Sequence, residues 1–281
     1  MIVVIGKSGQ LAQELKATGT HREVTFLGRE DIDLFDRDKL FGTLSEYKPQ
    51  IIINASAYTA VDKAESDEAA AFKLNCEAVE SLAQYCSLYE CRLVHVSTDF
   101  VFDGSKNQPY EVDDNTNPLG VYGASKLAGD EAIQEVMQNG YAIIRTSWLY
   151  SCFGANFVKT MIKLMNERSD LGIVSDQIGC PTYARGLAEF IWQLVDSKEF
   201  NGIYHWSDLG VASWYDFAVE IYRQGKELGI IRNTVTLNAI TTNDYPTPAK
   251  RPKYSLLKAD SRSRTQWQDN LHDMMVNIER N

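Results

Sequence analysis

Short runs of apolar, β-rich residues alternate with amphipathic stretches through the first half of the chain. Ile2–Ile5, Val24–Leu27, Ile51–Ile53, Leu93–Val96 and Tyr141–Thr146 read as strands. The stretches between them, Gln10–Ala17, about Asp36–Tyr47, Ala64–Leu74, Glu77–Leu88 and about Tyr122–Met137, read as helices. Strands that are apolar at successive positions, separated by helices, belong to a parallel sheet covered on both faces. Right-handed crossovers then predict an α/β fold with a doubly wound, Rossmann-type sheet, whose ligands sit beyond the carboxyl ends of the strands.

After about Tyr150 the pattern loosens. Asn156–Arg168, Ala184–Val195 and Ser213–Leu228 read as helices, and Ile173–Val174 and Ile203–Tyr204 as short strands. The segment Tyr245–Pro252 holds three prolines and is expected to be a loop. Residues 1–150 are therefore read as a dinucleotide-binding domain. Residues 151–281 are read as mainly a smaller substrate-binding lobe, with segments returning to the sheet.

Composition narrows the function. A chain of 281 residues, 44% hydrophobic and 23% charged, is globular throughout. Its net charge of −10 argues against nucleic acid as a partner, because phosphate backbones are held by excess Lys and Arg. The five cysteines show no C-x-x-C spacing, which suggests reduced thiols rather than a disulfide framework or zinc site. No apolar run approaches the roughly 20 residues that span a bilayer, and the opening Met1–Gly6 does not resemble a signal peptide. The expectation is a cytoplasmic protein with no membrane partner.

Between the first strand and first helix stands Gly6-Lys7-Ser8-Gly9-Gln10-Leu11-Ala12. Gly6 allows a tight turn, Gly9 lets backbone approach a pyrophosphate, and Ala12 lets helix and strand pack closely. The helix N-terminus then offers free N–H groups to phosphate. The second strand ends in Gly28-Arg29-Glu30, with no carboxylate at 28 or 29 to take a ribose 2′-hydroxyl. Arg29 instead suits a 2′-phosphate, so the reading is NADPH, with NADH as a second cofactor that can be accepted.

Tyr122 and Lys126 lie four apart on one helix face. Ketone reduction needs a proton delivered to oxygen as hydride reaches carbon, and an adjacent ammonium is expected to lower a phenol's pKa toward the working range. The same spacing recurs at Tyr222/Lys226 and Tyr254/Lys258, so spacing alone decides nothing. Position separates them: Tyr122 opens the helix that crosses from the fourth strand to the fifth, beside the ligand edge. Thr98, where the fourth strand ends, places a hydroxyl that can bond a substrate oxygen and orient Tyr122.

Taken together, several segments resemble the dTDP-4-dehydrorhamnose reductase family of the extended short-chain dehydrogenases/reductases. They are residues 6–11, the stretch Asn54–Glu65, Ser97–Gly104, Pro118–Gly129, Arg145–Tyr150, Asn156–Met161 and Asp176–Thr182, in family order. The resemblance implies reduction of the 4-keto group of dTDP-4-dehydro-L-rhamnose, a nucleotide-sugar substrate, to dTDP-L-rhamnose for surface polysaccharides. It implies Tyr122 as proton donor, Lys126 as cofactor ligand and tuner, and Thr98 as the tyrosine's adjuster. Cofactor contacts fall on Gln10, Leu11, Gly28, Arg29, Asp33, Leu34, Ala57, Tyr58 and Thr59. Substrate contacts fall on Thr98, Asp99, Trp148 and Arg251, the last a fork donor suited to pyrophosphate.

The sequence departs from the family at Phe100, at Ser56 and after Arg251-Pro252, where Tyr254 replaces an expected Asn. Some relatives dimerise through Mg²⁺ held by glutamates; Glu14 fits one such position but Arg185 stands where another acid is expected. No metal site is therefore assigned, and the assembly is read as a monomer or homodimer. Two alternatives stay open: a reductase of another nucleotide-linked 4-keto-6-deoxy sugar, and a non-catalytic NADP-binding regulatory subunit on the same scaffold.

Overall fold

The computed structural model describes residues 1–197, 200–259 and 264–278. Its central sheet is built from β1 (Ile2–Ile5), β2 (Val24–Leu27), β3 (Ile51–Asn54), β4 (Arg92–Thr98), β5 (Tyr141–Thr146) and a later strand, Gly202–His205. All its pairings are parallel. The order across the sheet is Gly202–His205, β5, β4, β3, β1, β2. The direction of winding therefore reverses between β1 and β3, which makes the crevice at their carboxyl ends the place for a ligand.

Alternate side chains of these strands feed two cores. Val3, Ile5, Ile52, Leu93 and Ile143 face one side, under α2 (Arg37–Tyr47), the helical run Glu68–Leu88, and the helix Val121–Val136. Val4, Ile53, Val94, Ala142 and Ile144 face the other, under α1 (Gln10–Thr18) and the helix Ala184–Asp196. Apolar contacts on both faces explain why the strands carry no polar alternation. The helical run Glu68–Leu88 is interrupted by a π-turn at Lys73–Glu77, where the sequence reading placed a break between two helices.

Past residue 150 the chain uses both layers. Ala184–Asp196 packs on α1, and Gly202–His205 extends the sheet beyond β5. A separate core gathers Met161, Met165, Phe217, Ile221, Leu271 and Met274 from the helices Phe157–Glu167, Trp214–Glu227 and Trp267–Ile278. That last helix, and a strand at Thr236–Ile240 paired in parallel with Asp170–Val174, have no counterpart in the sequence reading. The proline segment is irregular, as its composition requires.

Candidate active site

The turn after β1 sits at the winding reversal. Gly6 takes φ +110° and donates its N–H to Leu27 O at 2.9 Å. A Cβ there would stand 3.2 Å from the backbone of Ala55 after β3, so only glycine gives both the dihedral and the close approach. Gly9 precedes α1 with open space beside it, and no side chain caps the helix. The first N–H groups of α1 thus face outward, unneutralised by any acid in the first turn. This cradle fits a dinucleotide pyrophosphate. Leu11 and Ala12 are buried against the sheet, while Gln10 accepts from Asn156 at 3.0 Å.

At the end of β2, Arg29 is exposed and makes no ion pair among the described residues. The neighbouring acids are taken up by Lys7, whose Nζ lies 3.0 Å from Glu30 and 3.1 Å from Asp31. Gly28 N–H donates to Asp31 at 2.8 Å. Lys7 is a contributor that the sequence reading passed over; it holds the two carboxylates that follow Arg29 in the chain. Asp33 accepts from Phe35 N–H at 3.0 Å, and Leu34 packs on the sheet core.

The turn that follows β3 carries Ala57, Tyr58 and Thr59. It is clamped from the π-turn by buried Asn75, which accepts from Tyr58 N–H at 2.8 Å and donates to Tyr58 O at 3.1 Å. Asn75 also donates to Ser125 Oγ at 3.0 Å, tying the turn to the helix α3 (Val121–Val136). Glu65 accepts from Val121 N–H at 2.9 Å and so caps this helix from a distant part of the chain. Neither partner is visible in local sequence.

Tyr122 opens α3, and β4 runs into Thr98 opposite it. Thr98 Oγ1 accepts from Phe100 N–H at 3.2 Å, which starts the single turn Asp99–Val101. Helix and turn meet so closely that a Cβ on Gly123 would lie 2.3 Å from Phe100 O. The Phe100 ring meets Tyr122 edge-on at 5.6 Å. Thr98 and Tyr122 thereby meet through a hydrogen bond at the carboxyl edge of the sheet, and Lys126 follows one turn further along α3.

Their electrostatics differ from that reading. Loss of solvent pushes the Tyr122 hydroxyl up to about 12; a hydrogen bond with Thr98 offsets this in part, and the carboxylates of Asp99 and Asp130 add to it. Lys126 does not pull it down. Lys126 is buried, its amine is lowered to about 8 by loss of water, and its Nζ contacts His95 Nε2 at 2.9 Å and Val96 O at 2.8 Å. Tyr122 consequently holds its proton firmly at neutral pH, the state a proton donor needs.

Asp99 is 2% exposed and burial pushes its carboxyl up to about 6, with the nearby hydroxyls of Ser255 and Thr98 offsetting in part. Thr98 Oγ1 donates to Asp99 Oδ1 at 3.2 Å.

Trp148 adopts φ +45°, a strained value for a bulky residue. It is held by stacking on Trp214 at 3.7 Å and by Gly179, where a Cβ would lie 2.8 Å from the indole. Trp214 in turn donates to Gln177 Oε1 at 3.2 Å, and no sequence motif had marked it. Arg251 is paired bidentately with Asp62, at 2.8 and 3.0 Å. A pyrophosphate would have to compete with that carboxylate.

The other Tyr–Lys pairs are structural. Tyr222 Oη accepts from Val235 N–H at 3.3 Å, and Lys226 donates to Arg232 O at 3.0 Å. Lys258 forms an exposed pair with Glu111. Glu14 is buried and accepts from Ser151 at 2.6 Å. Among the described residues no group of three His, Cys, Asp or Glu could hold a metal, and no helix is long and apolar enough to cross a membrane.

A glycine turn at the winding reversal, an uncapped first helix and a Tyr–Lys pair opposite a strand-end threonine define a short-chain dehydrogenase/reductase scaffold. The profile of the RmlD substrate binding domain family matches residues 1–280. A dTDP-4-dehydrorhamnose reductase of Sinorhizobium fredii is 40% identical over 271 residues, covering 94% of this chain and 90% of the relative. The spore coat polysaccharide biosynthesis protein SpsK of Bacillus subtilis is 38% identical, covering 91% of this chain and 88% of its own. A crystal structure of the Bacillus anthracis dTDP-4-dehydrorhamnose reductase in complex with NADP superposes with a TM-score of 0.92 at 32% identity, covering 98% of each chain. The chain belongs to the RmlD substrate binding domain family, that of the dTDP-4-dehydrorhamnose reductases.

Proposed function

We propose that the protein reduces the 4-keto group of dTDP-4-dehydro-L-rhamnose to give dTDP-L-rhamnose, with NADPH as cofactor, in the cytoplasm and as a step toward surface polysaccharide. The observation that carries this reading is the hydrogen bond of Tyr122, which opens α3 one turn before Lys126, with Thr98, where β4 ends at the carboxyl edge of the sheet. Family membership names the sugar, the NADP-bound relative and the unpaired Arg29 support the cofactor, and five cysteines without C-x-x-C spacing suit a reducing compartment.

The residues present fit a nicotinamide dinucleotide. Gly6, Gly9 and the N-terminus of α1 would hold the pyrophosphate, Arg29 the adenosine end, and Lys126 the nicotinamide ribose. The cofactor supplies a hydride to C4 of the sugar. Tyr122 keeps its phenolic proton at neutral pH and is positioned to donate it to the C4 oxygen, while Thr98 can turn its hydroxyl from Asp99 to donate to the phenolate left behind. Trp148 offers a rigid aromatic wall to the sugar, fixed by Trp214 and Gly179.

Turnover of dTDP-4-dehydro-L-rhamnose, generated in situ, tests the reading. The wild type should oxidise NADPH only when the sugar is present. Tyr122→Phe should lose about 10²–10⁴-fold in kcat while still binding NADPH. A Tyr122→Phe enzyme of unchanged kcat would remove this tyrosine from the chemistry.

A further inference from the structure

Behind the Tyr–Lys pair lies a buried polar chain: Asn54 on β3, His95 on β4, and Lys126 and Asp130 on α3, each no more than 2% exposed. Its hydrogen-bond directions can be worked out from one fixed point. Asn54 Oδ1 receives the backbone N–H of Ser56 at 3.1 Å and Ser56 Oγ at 2.6 Å. A backbone N–H can only donate, so the oxygen of this amide must face Ser56 and its nitrogen must face His95. Asn54 Nδ2 lies 3.1 Å from His95 Nδ1 and can only donate as well. His95 Nδ1 therefore accepts.

Burial, with the neighbouring Lys126 adding to it, drives the His95 pKa well below the usual histidine range, so the ring is neutral and carries one proton. With Nδ1 accepting, that proton is on Nε2. Nε2 lies 2.9 Å from Lys126 Nζ and 3.9 Å from Asp130 Oδ1. An ammonium has donors only and cannot accept from this N–H, whereas an uncharged amine offers a lone pair.

We propose that Asn54 and His95 act as positioning residues, a tautomer lock that presents an N–H to Lys126 and so disfavours its ammonium form in the cofactor-free protein. The surroundings of Lys126 set how far this goes. Asp130, one turn on, favours the ammonium, but its Oδ2 is already engaged by Ser97 at 2.8 Å and Arg145 at 3.4 Å. Asp130 Oδ1 is buried without a hydrogen-bond partner among the described residues. Val96 O accepts from Lys126 from β4, and Tyr122 and Asp99 stand on the site side. Resting on the reductase reading, one consequence follows: the proton affinity of Lys126 rises as its amine leaves His95 for the cofactor's hydroxyls, so cofactor binding takes up protons most strongly above about pH 8.

The test uses the full-length, cofactor-free protein and needs no turnover, so it remains readable even where the reductase reading fails. With [¹⁵N]histidine label, the signal that disappears in His95→Gln should show the Nε2–H tautomer at neutral pH. With [6-¹³C]lysine label, the resonance absent from Lys126→Met should titrate at lower pH in the wild type than in Asn54→Val or His95→Gln. Neither variant adds charge, and each lets the group facing Lys126 become an acceptor. The expected upward shift is about one pH unit, a tenfold change in proton affinity. An Nδ1–H tautomer, or equal midpoints in wild type and variants, overturns the proposal. Should both variants fail to fold, the wild-type ¹⁵N spectrum decides, with the His95 signal assigned as the one that persists when His21, His205 and His272 are each replaced by glutamine.

Discussion

Replacing Asp99 with asparagine should stabilise the protein, and by more at pH 8 than at pH 5. The carboxyl is 2% exposed and raised from 3.8 to about 6 by burial. A raised carboxyl pKa means that the folded state holds the proton more tightly than the unfolded chain. The stabilising effect is full below the unfolded value of about 4 and is lost as pH rises through about 6. A shift of about two units corresponds to about 3 kcal/mol in full. Roughly half of that is already lost at pH 5, which leaves about 1.4 kcal/mol between pH 5 and pH 8. Asparagine keeps the shape and removes the ionisation. Asp208, raised to about 7, is present in both proteins and cancels in the comparison. Thermal unfolding of both proteins across this range should show the melting-temperature gap widening by about 2–3 °C towards pH 8. A gap that stays constant with pH would refute the reasoning, because the ionisation of Asp99 would then be no harder in the fold than outside it.

Gly123→Ala should destabilise by about 1–3 kcal/mol, read by urea unfolding, since its Cβ would lie 2.3 Å from Phe100 O, a backbone atom that cannot turn aside. Activity should fall with it, because Tyr122 rides on the same turn; unchanged stability would show that helix and turn separate freely. Arg29→Ala should lower kcat/KM for NADPH by about ten- to a hundredfold, the loss of one charge-assisted hydrogen-bonding group, and leave NADH rates unchanged. Steady-state rates with each cofactor check this, and an equal effect on both would remove Arg29 from cofactor choice.

The parallel sheet was legible because its strands are apolar on both faces and β-branched, a pattern few other structures produce. What escaped was of two kinds. Thr236–Ile240 is an edge strand with much of its surface exposed, so it shows neither apolar continuity nor alternation. Trp267–Ile278 carries a helical signal, with Trp267, Leu271, Met274 and Met275 buried on one face, but only four such positions mark it. For the proposed site, Thr98, Tyr122 and Lys126 could be nominated because each sits at a predictable point of a strand–helix unit. Lys7, Asn75, Glu65, His95 and Trp214 could not, since each acts through a partner distant in sequence. The direction of the electrostatics was also beyond sequence reasoning. Adjacency of Tyr122 and Lys126 suggests that the ammonium lowers the phenol. Loss of water around the half-buried phenol and the buried amine instead raises one and lowers the other.

The most direct test of the central claim follows the hydride. The protein is given dTDP-4-dehydro-L-rhamnose and NADPH deuterated at the transferable position, and the sugar nucleotide formed is examined by NMR and mass spectrometry. The account predicts dTDP-L-rhamnose with deuterium at C4 and an equal amount of NADP⁺. Cofactor that binds yet is never oxidised in the presence of this sugar would contradict it.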